Sequence, residues 1–265
     1  MACRESSLEF LRTLGYTAIQ LPRERIQPLD LIGKLPGGGS AKQIGSLTKL
    51  VVGTVPPPQI VPNEAVGQIS GKKTDKLDIG TGLRLLSGFF SALGAVSAAL
   101  DAAFGKARQI EFFYEDVLSD SVDIIELGGY LGKRPALDHN NPFMDDYFIG
   151  DGQVVVITRT LKSNGFGVAA SDEKGSKVDI DLDVLGQDLA NAGITANKSA
   201  EMRISFKGKK HLVFGFQGLL LHIDIGGLTV SDEVPAEFGI FAAAGARPGK
   251  ATPVVLGRHG LLRLD

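Results

Sequence analysis

Met202-Arg203-Ile204-Ser205-Phe206 and Leu212-Val213-Phe214-Gly215-Phe216, followed by Leu219-Leu220-Leu221-His222-Ile223-Asp224-Ile225, form the stretch whose reading decides the fold. Apolar residues recur at every second position: Met202, Ile204 and Phe206, then Leu212, Phe214 and Phe216, then Leu219, Leu221, Ile223 and Ile225. A strand sends successive side chains to opposite faces, so this period of two predicts antiparallel strands with one packed face. Upstream, Val154 to Leu161 is β-branched and apolar, and Ser163-Asn164-Gly165 carries the Asn-Gly signal of a tight hairpin leading into Phe166 to Ala170. Lys177 to Val184 alternates without a break, with Val178, Ile180, Leu182 and Val184 on one face and Lys177, Asp179, Asp181 and Asp183 on the other. Gly186 to Ala196 reads as a short helix or loop. Such alternation has two sources. A half-buried strand on a core produces it, and so does a membrane barrel strand, whose lipid-facing and lumen-facing residues alternate over about 9 to 11 residues.

The N-terminal half mixes short helices with short strands. Ser6-Ser7-Leu8-Glu9 reads as a capping box, and Leu8, Leu11 and Leu14 follow at helical spacing until Gly15 stops the run. Tyr16 to Leu21 is extended up to Pro22, and Leu29 to Ile32 is a second apolar run before the loop Leu35-Pro36-Gly37-Gly38-Gly39-Ser40. Pro56-Pro57-Pro58, after Val51 to Val55, excludes helix. Leu85 to Leu100 carries no charge but falls short of the roughly 18 to 20 residues of a spanning helix, so it reads as a buried core helix. Ile110 to Tyr114 and Val122 to Leu127 read as strands split by an acidic turn, and Asp138 to Asp146 as a polar loop. The expected class is α+β: a twisted, mainly antiparallel central sheet with surrounding helices.

Composition and motifs exclude more than they assign. A formal net charge of -2 argues against an electrostatically bound nucleic-acid partner. The 34 glycines, well above the usual share of about 7%, suit many turns and bulged strands. No apolar signal core opens the chain, which is expected to start in the cytoplasm, and a single cysteine precludes an intrachain disulfide. Gly67-Gln68-Ile69-Ser70-Gly71-Lys72-Lys73-Thr74 is one residue short of a phosphate loop and follows a Pro-rich segment. Gly128-Gly129-Tyr130-Leu131-Gly132 lacks dinucleotide-loop spacing, and neither Ser40 nor Ser70 sits in a nucleophile elbow. His139, His211, His222 and His259 share no partner at metal-ligand spacing, and Asp138, Asp145, Asp146 and Asp151 match no calcium loop. No catalytic residue, metal site or cofactor is expected.

The two ends carry further features. Cys3, the lone thiol, precedes the first helix and is followed by Arg4; by itself it is an ordinary residue or a lipidation site. Ala242-Ala243-Ala244-Gly245-Ala246-Arg247-Pro248-Gly249-Lys250 has the composition of a flexible, cleavable linker. Beyond it Val254, Val255, Leu256, Leu261, Leu262 and Leu264 require burial, either as a docked latch or as a terminal strand completing the sheet.

The opening, with a cysteine in the first few residues, a short helix, Leu14-Gly15-Tyr16, Leu21-Pro22-Arg23 and Gln27-Pro28-Leu29-Asp30-Leu31-Ile32-Gly33, resembles the bacterial gasdermins, compact relatives of the animal pore-forming gasdermins. Phe112-Phe113-Tyr114-Glu115-Asp116-Val117 and the apolar tail behind a small-residue linker extend the resemblance over the whole chain. It implies a gasdermin N-domain-like pore-forming domain over residues 1–246 and a linker with an autoinhibitory tail over residues 247–265. It implies a palmitoyl group on Cys3, a protease site among Gly245, Ala246, Arg247, Pro248, Gly249 and Lys250, and inhibitory contacts from Val254, Val255, Leu256, Leu261, Leu262 and Leu264. Cleavage by a caspase-like or trypsin-like protease would convert a cytoplasmic monomer into a ring in the inner membrane, two regions refolding into β-hairpins. The outcome would be lysis or growth arrest against phage. Val178, Ile180, Leu182 and Val184 are the candidate membrane strand. One departure stands out: the linker has no aspartate, so Lys250 or a small or apolar residue precedes the scissile bond, Pro248 hindering a cut after Arg247. The rival readings are a soluble β-rich binding protein for an apolar ligand and, third, a hydrolase of unfamiliar type.

Overall fold

The computed structural model describes residues 9–35, 41–52, 55–70, 76–95, 99–133, 136–137, 145–149, 152–224, 227–231, 241–242, 254–255 and 264. In chain order, α1 (Glu9–Thr13) leads to β1 (Thr17–Arg23), β2 (Asp30–Lys34) and β3 (Lys42–Ser46). Next come α2 (Leu47–Leu50), β4 (Val51–Val52), β5 (Ile60–Ala65), β6 (Leu77–Asp78), α3 (Ile79–Ala92) and α4 (Leu100–Ala103). They are followed by β7 (Gln109–Glu115), β8 (Leu118–Val122), α5 (Ile124–Gly132), β9 (Ala136–Leu137), a π-helical turn at Asp145–Ile149 and the long β10 (Gln153–Ser171). β11 (Lys177–Val178), α6 (Leu182–Asn191) and β12 (Thr195–Lys198) then lead to β13 (Arg203–Asp224). β14 (Gly227–Ser231), β15 (Phe241–Ala242) and β16 (Val254–Val255) complete the described elements.

β10 and β13 are the spine. They pair antiparallel from Val154 opposite Leu221 to Ala169 opposite Arg203. The other edge of β10 takes β2, β8 and β7 in turn, and the other edge of β13 takes β12, β1, β16 and β14. The expected antiparallel α+β class is the one observed. The single packed face is not. Val154, Val156, Leu219 and Leu221 pack with Leu47, Leu127 and Tyr130, while Val155, Ile157 and Leu220 on the opposite face pack with Ile19, Ile26 and Ile32. Both faces of the spine are therefore covered at this end, because short helices lie over one and the β1–β2 region over the other.

At the far end a third cluster forms under α3. Phe166 and Phe206 from the spine meet Phe89, Phe90 and Phe112, with ring centroids 4.5 Å apart for Phe89 and Phe166 and 5.1 Å, edge to face, for Phe90 and Phe206. α3 starts at Asp78, whose carboxylate accepts the Thr81 N–H at 3.0 Å, and it buries Leu86, Phe89 and Phe90. The uncharged run from Leu85 to Leu100 is not one helix: its first part lies in the core helix α3, which ends at Ala92 because Gly94 turns at φ 88, and α4 starts separately at Leu100. Among the described residues no helix is long and apolar enough to cross a membrane. The first helix stops where expected. Gly15 takes φ 80, with Tyr16 N–H bonding Leu11 O at 2.9 Å.

Two local expectations are corrected. Asn164-Gly165 makes no hairpin turn, because β10 runs straight through it. Ser163 Oγ lies 2.5 Å from Glu115 O and 2.6 Å from Gly165 O, donating to one of them, and accepts the Gly165 N–H at 3.0 Å. The ladder absorbs the irregularity as a bulge, Ser163 facing Leu212 and Gly165 facing Lys207. Val122 to Leu127 is not a strand either. Asp123 Oδ1 accepts the N–H groups of Ile125 at 2.7 Å and Glu126 at 3.1 Å, capping α5 and overriding the β-branched run.

Candidate functional site

The connection between the two spine strands, residues 172–202, holds the alternating segment singled out in the sequence. It begins as a turn in which Asp172 Oδ1 accepts the N–H groups of Lys174 at 2.9 Å and Ser176 at 2.8 Å, bringing Val178 opposite Ala170. Extended pairing stops there. Lys177 to Val184 is not one strand, because Asp181 Oδ1 accepts the Asp183 N–H at 3.1 Å and caps α6. α6 buries Leu185 and Leu189, with Leu182 partly covered, the one, four and eight spacing of a helical face. Gly193, at φ 67, ends it with Ile194 N–H bonded to Leu189 O at 2.8 Å.

The start of α6 separates the four aligned side chains. Ile180 is buried and Val178 partly so, but Val184 is 42% exposed, since it lies off the helical face. Asp179 pairs with Lys198, which ties the start of the connection to β12, and that contact holds its carboxyl below the usual range. Lys177 Nζ donates to Glu201 O at 2.9 Å.

The tail also meets the sheet. Leu264 is 1% exposed, in a cluster with Ile19, Ile26, Ile32, Ala41, Val155 and Ile157. Ala41 bridges it in parallel, and Arg23 Nη2 donates to its carbonyl. Val254 pairs with Gly218 of β13 and Val255 with Phe241. Cys3, the linker Gly245, Ala246, Arg247, Pro248, Gly249 and Lys250, and the tail residues Leu256, Leu261 and Leu262 lie outside the described residues.

A polar node not anticipated from the sequence joins β7, β10 and β13. Glu115 Oε1 accepts from Arg203 Nη2 at 2.5 Å and from Ser205 Oγ at 2.7 Å. The Arg203 guanidinium lies over Phe113, 4.1 Å from the ring centroid. A second pair, Lys162 and Asp120 at 2.7 Å, ties β10 to β8, and Asp120 also accepts the Asn63 N–H at 2.8 Å. On β2, buried Asp30 accepts from Gln27 N at 3.0 Å and Gln43 Nε2 at 2.9 Å, and burial pushes its carboxyl pKa up.

The failed motifs find structural places. Ser70 Oγ accepts the Val117 N–H at 2.9 Å, and Gly128 and Gly129 lie inside α5, away from any phosphate-binding turn. Among the described residues no group of three or more His, Cys, Asp or Glu side chains is placed to hold a metal ion. His139, His259, Asp138 and Asp151 lie outside the described residues.

Comparison with known proteins places this architecture. A profile described as the Bacterial Gasdermin Family matches residues 19–232. The chain is 34% identical to gasdermin bGSDM of a Vitiosangium species, over 99% of this chain and 98% of that one. It is 28% identical to gasdermin bGSDM of a Desulfuromonadales bacterium, over 100% and 99% respectively. The solved structure of a bacterial gasdermin from Bradyrhizobium tropiciagri superposes with a TM-score of 0.71 at 17% identity, covering 98% of this chain and 95% of that one, a likeness of fold.

Proposed function

The chain belongs to the bacterial gasdermin family, and from that premise we propose that it is an autoinhibited pore former switched on by removal of its tail. In this reading residues 1–246 are the pore-forming domain and residues 247–265 the linker and tail. A caspase-like or trypsin-like protease cuts the linker of residues 245–250, with Lys250 or a small or apolar residue before the scissile bond, and the intact cytoplasmic monomer becomes a ring in the inner membrane. Cys3 carries a palmitoyl group. One acyl chain of myristoyl length binds membranes only marginally, at about 10⁴ M⁻¹, so the anchor acts once assembly multiplies it. Membrane permeabilisation then ends in lysis or growth arrest that protects a population from phage.

The observation that carries this reading is the double pattern of residues 177–189. Their helical spacing buries Leu185 and Leu189 in the intact fold and strands Val184 in water. Their period of two gathers Val178, Ile180, Leu182 and Val184 on one face once the segment is extended. The connection between Ser171 and Arg203 supplies two arms of about 15 residues each, more than the about 9 to 11 needed to cross a bilayer. Both arms continue a pair, β10 and β13, that is already in register.

The test uses phosphatidylglycerol and phosphatidylethanolamine vesicles loaded with a self-quenching dye, and the intact chain carrying a protease site in the linker. Leakage only after cutting is expected. A soluble binding protein for an apolar ligand would leave the dye inside before and after the cut, and that result rejects the proposal. Intact-mass spectrometry of protein from cells should show an acyl adduct that Cys3→Ala lacks.

A further inference from the structure

Glu115 lies on β7 and Arg203 and Ser205 on β13, with β10 between them. Neighbouring strands stand about 4.8 Å apart, so the contact closes over about 10 Å of sheet. Two glycines make room for it. Gly165 faces Glu115 on one side and Lys207 on the other, and Gly167 faces Phe113 and Ser205. A Cβ on Gly167 would stand 2.4 Å from Arg203 Nε, well inside van der Waals contact. The glycines therefore form a trough in which the guanidinium lies over Phe113 and reaches the carboxylate. The opposite face of the same strands carries the Phe112, Phe166 and Phe206 cluster. Lys207 and Asp116 pair at 3.1 Å beside the trough.

Arg203 is also the first residue of β13, where the connection 172–202 joins the sheet. In the intact fold β12 flanks this point, with Ala196 opposite Phe206 and Lys198 opposite Ile204. When the connection is drawn out into two membrane arms, β12 no longer flanks it. The first turns of the extended hairpin are then aligned by the β10 ladder and by whatever crosses it from β7. A slip of one residue there would send every lipid-facing side chain to the lumen.

We propose that Glu115, Arg203 and Ser205 are positioning residues for pore formation, a strap that holds β7, β10 and β13 in register at the root of the membrane hairpin. The inference rests on the pore-former reading. Its test compares wild type, Glu115→Gln, and the swapped pair Glu115→Lys with Arg203→Glu, each cut in the linker and added to the same dye-loaded vesicles. Leakage and vesicle-bound protein are measured together with the melting temperature of each intact chain. Glu115→Gln is expected to bind vesicles as wild type does but to leak about fivefold more slowly, the factor expected when the amide oxygen still accepts from Arg203 and Ser205 without the carboxylate's charge. The swapped pair should recover most of the loss. Wild-type leakage matched by Glu115→Gln overturns the strap and leaves the pore reading standing, whereas a silent wild type overturns both. Should Glu115→Gln melt early, the swapped pair decides: slow leakage from a normally melting swapped chain also overturns the strap.

Discussion

Truncating Leu264 to Ala tests the tail most directly. The side chain is 1% exposed among Ile19, Ile26, Ile32, Val155 and Ile157, so nearly all its apolar surface is out of water. Burying a leucine is worth about 1.5 to 3 kcal/mol, and large-to-small replacement in a closed site costs about 2 to 5 kcal/mol. Because Leu264 lies outside the sheet's strands and is held by a bridge to Ala41 and a hydrogen bond from Arg23, the loss falls on docking of the tail more than on the sheet beneath it. Taking about 2 to 3 kcal/mol at 1.4 kcal/mol per tenfold, the undocked fraction rises between about 30- and 150-fold. The assay follows two signals from the uncut protein: the rate at which a protease cuts within residues 245–250, and dye release from vesicles. Both should rise for Leu264→Ala and stay near wild type for Leu264→Met, while the main melting transition holds. Arg23→Gln, which loses the donor to the Leu264 carbonyl, should move both signals in the same direction by less. Wild-type rates for Leu264→Ala would refute the latch. A chain that becomes insoluble and harmless would instead make the tail an ordinary closing strand.

Val184→Arg should leave the melting temperature unchanged, because Val184 is 42% exposed on α6, yet it places a charge on the lipid face of the extended strand at a cost of about 2 to 4 kcal/mol near the bilayer midplane; leakage after cutting should be lost, and retained leakage would remove this strand from the membrane. Asp78→Ala should destabilise the protein by about 1 kcal/mol through the lost cap of α3. The Thr81 N–H holds the Asp78 carboxyl below its usual range, so its stabilisation is present above about pH 4 and disappears as pH falls through the lowered value; denaturant melts at pH 7 and pH 3 should show the Ala penalty shrinking. Asp30 has the opposite sign. Burial raises its pKa, so its contribution is greatest below about pH 4 and is lost as pH rises through the raised value. Asp30→Asn, still able to accept from Gln27 and Gln43, should therefore gain on wild type as pH rises, and a gap that does not change with pH would count against the burial argument.

Much of the fold is legible in the chain because its signals act over a few residues. The period of two across Ile204, Phe206, Leu212 and Phe214 marks β13, and the β-branched run from Val154 marks β10. Gly15 ends the first helix because that turn needs a positive φ, a demand met within one residue. The resemblance was likewise carried by short local strings such as Phe112 to Val117. Asn164-Gly165, Asp123 and the segment Lys177 to Val184 were decided elsewhere. Asn164 stays inside a strand because Ser163 meets Glu115, 48 residues away in sequence. Val178 to Val184 has two self-consistent patterns, and the helical one prevails after Asp181 because a cap and a core face for Leu185 and Leu189 are both present. The strap was hidden for the same reason. Glycines at Gly165 and Gly167 announce only missing side chains, and that Arg203 and Glu115, 88 residues apart, close over them depends on strand order. A chain's own sequence determines which faces are apolar and where the backbone can turn; which apolar pattern is used, and which charges meet, depends on neighbours that only the folded sheet brings within reach.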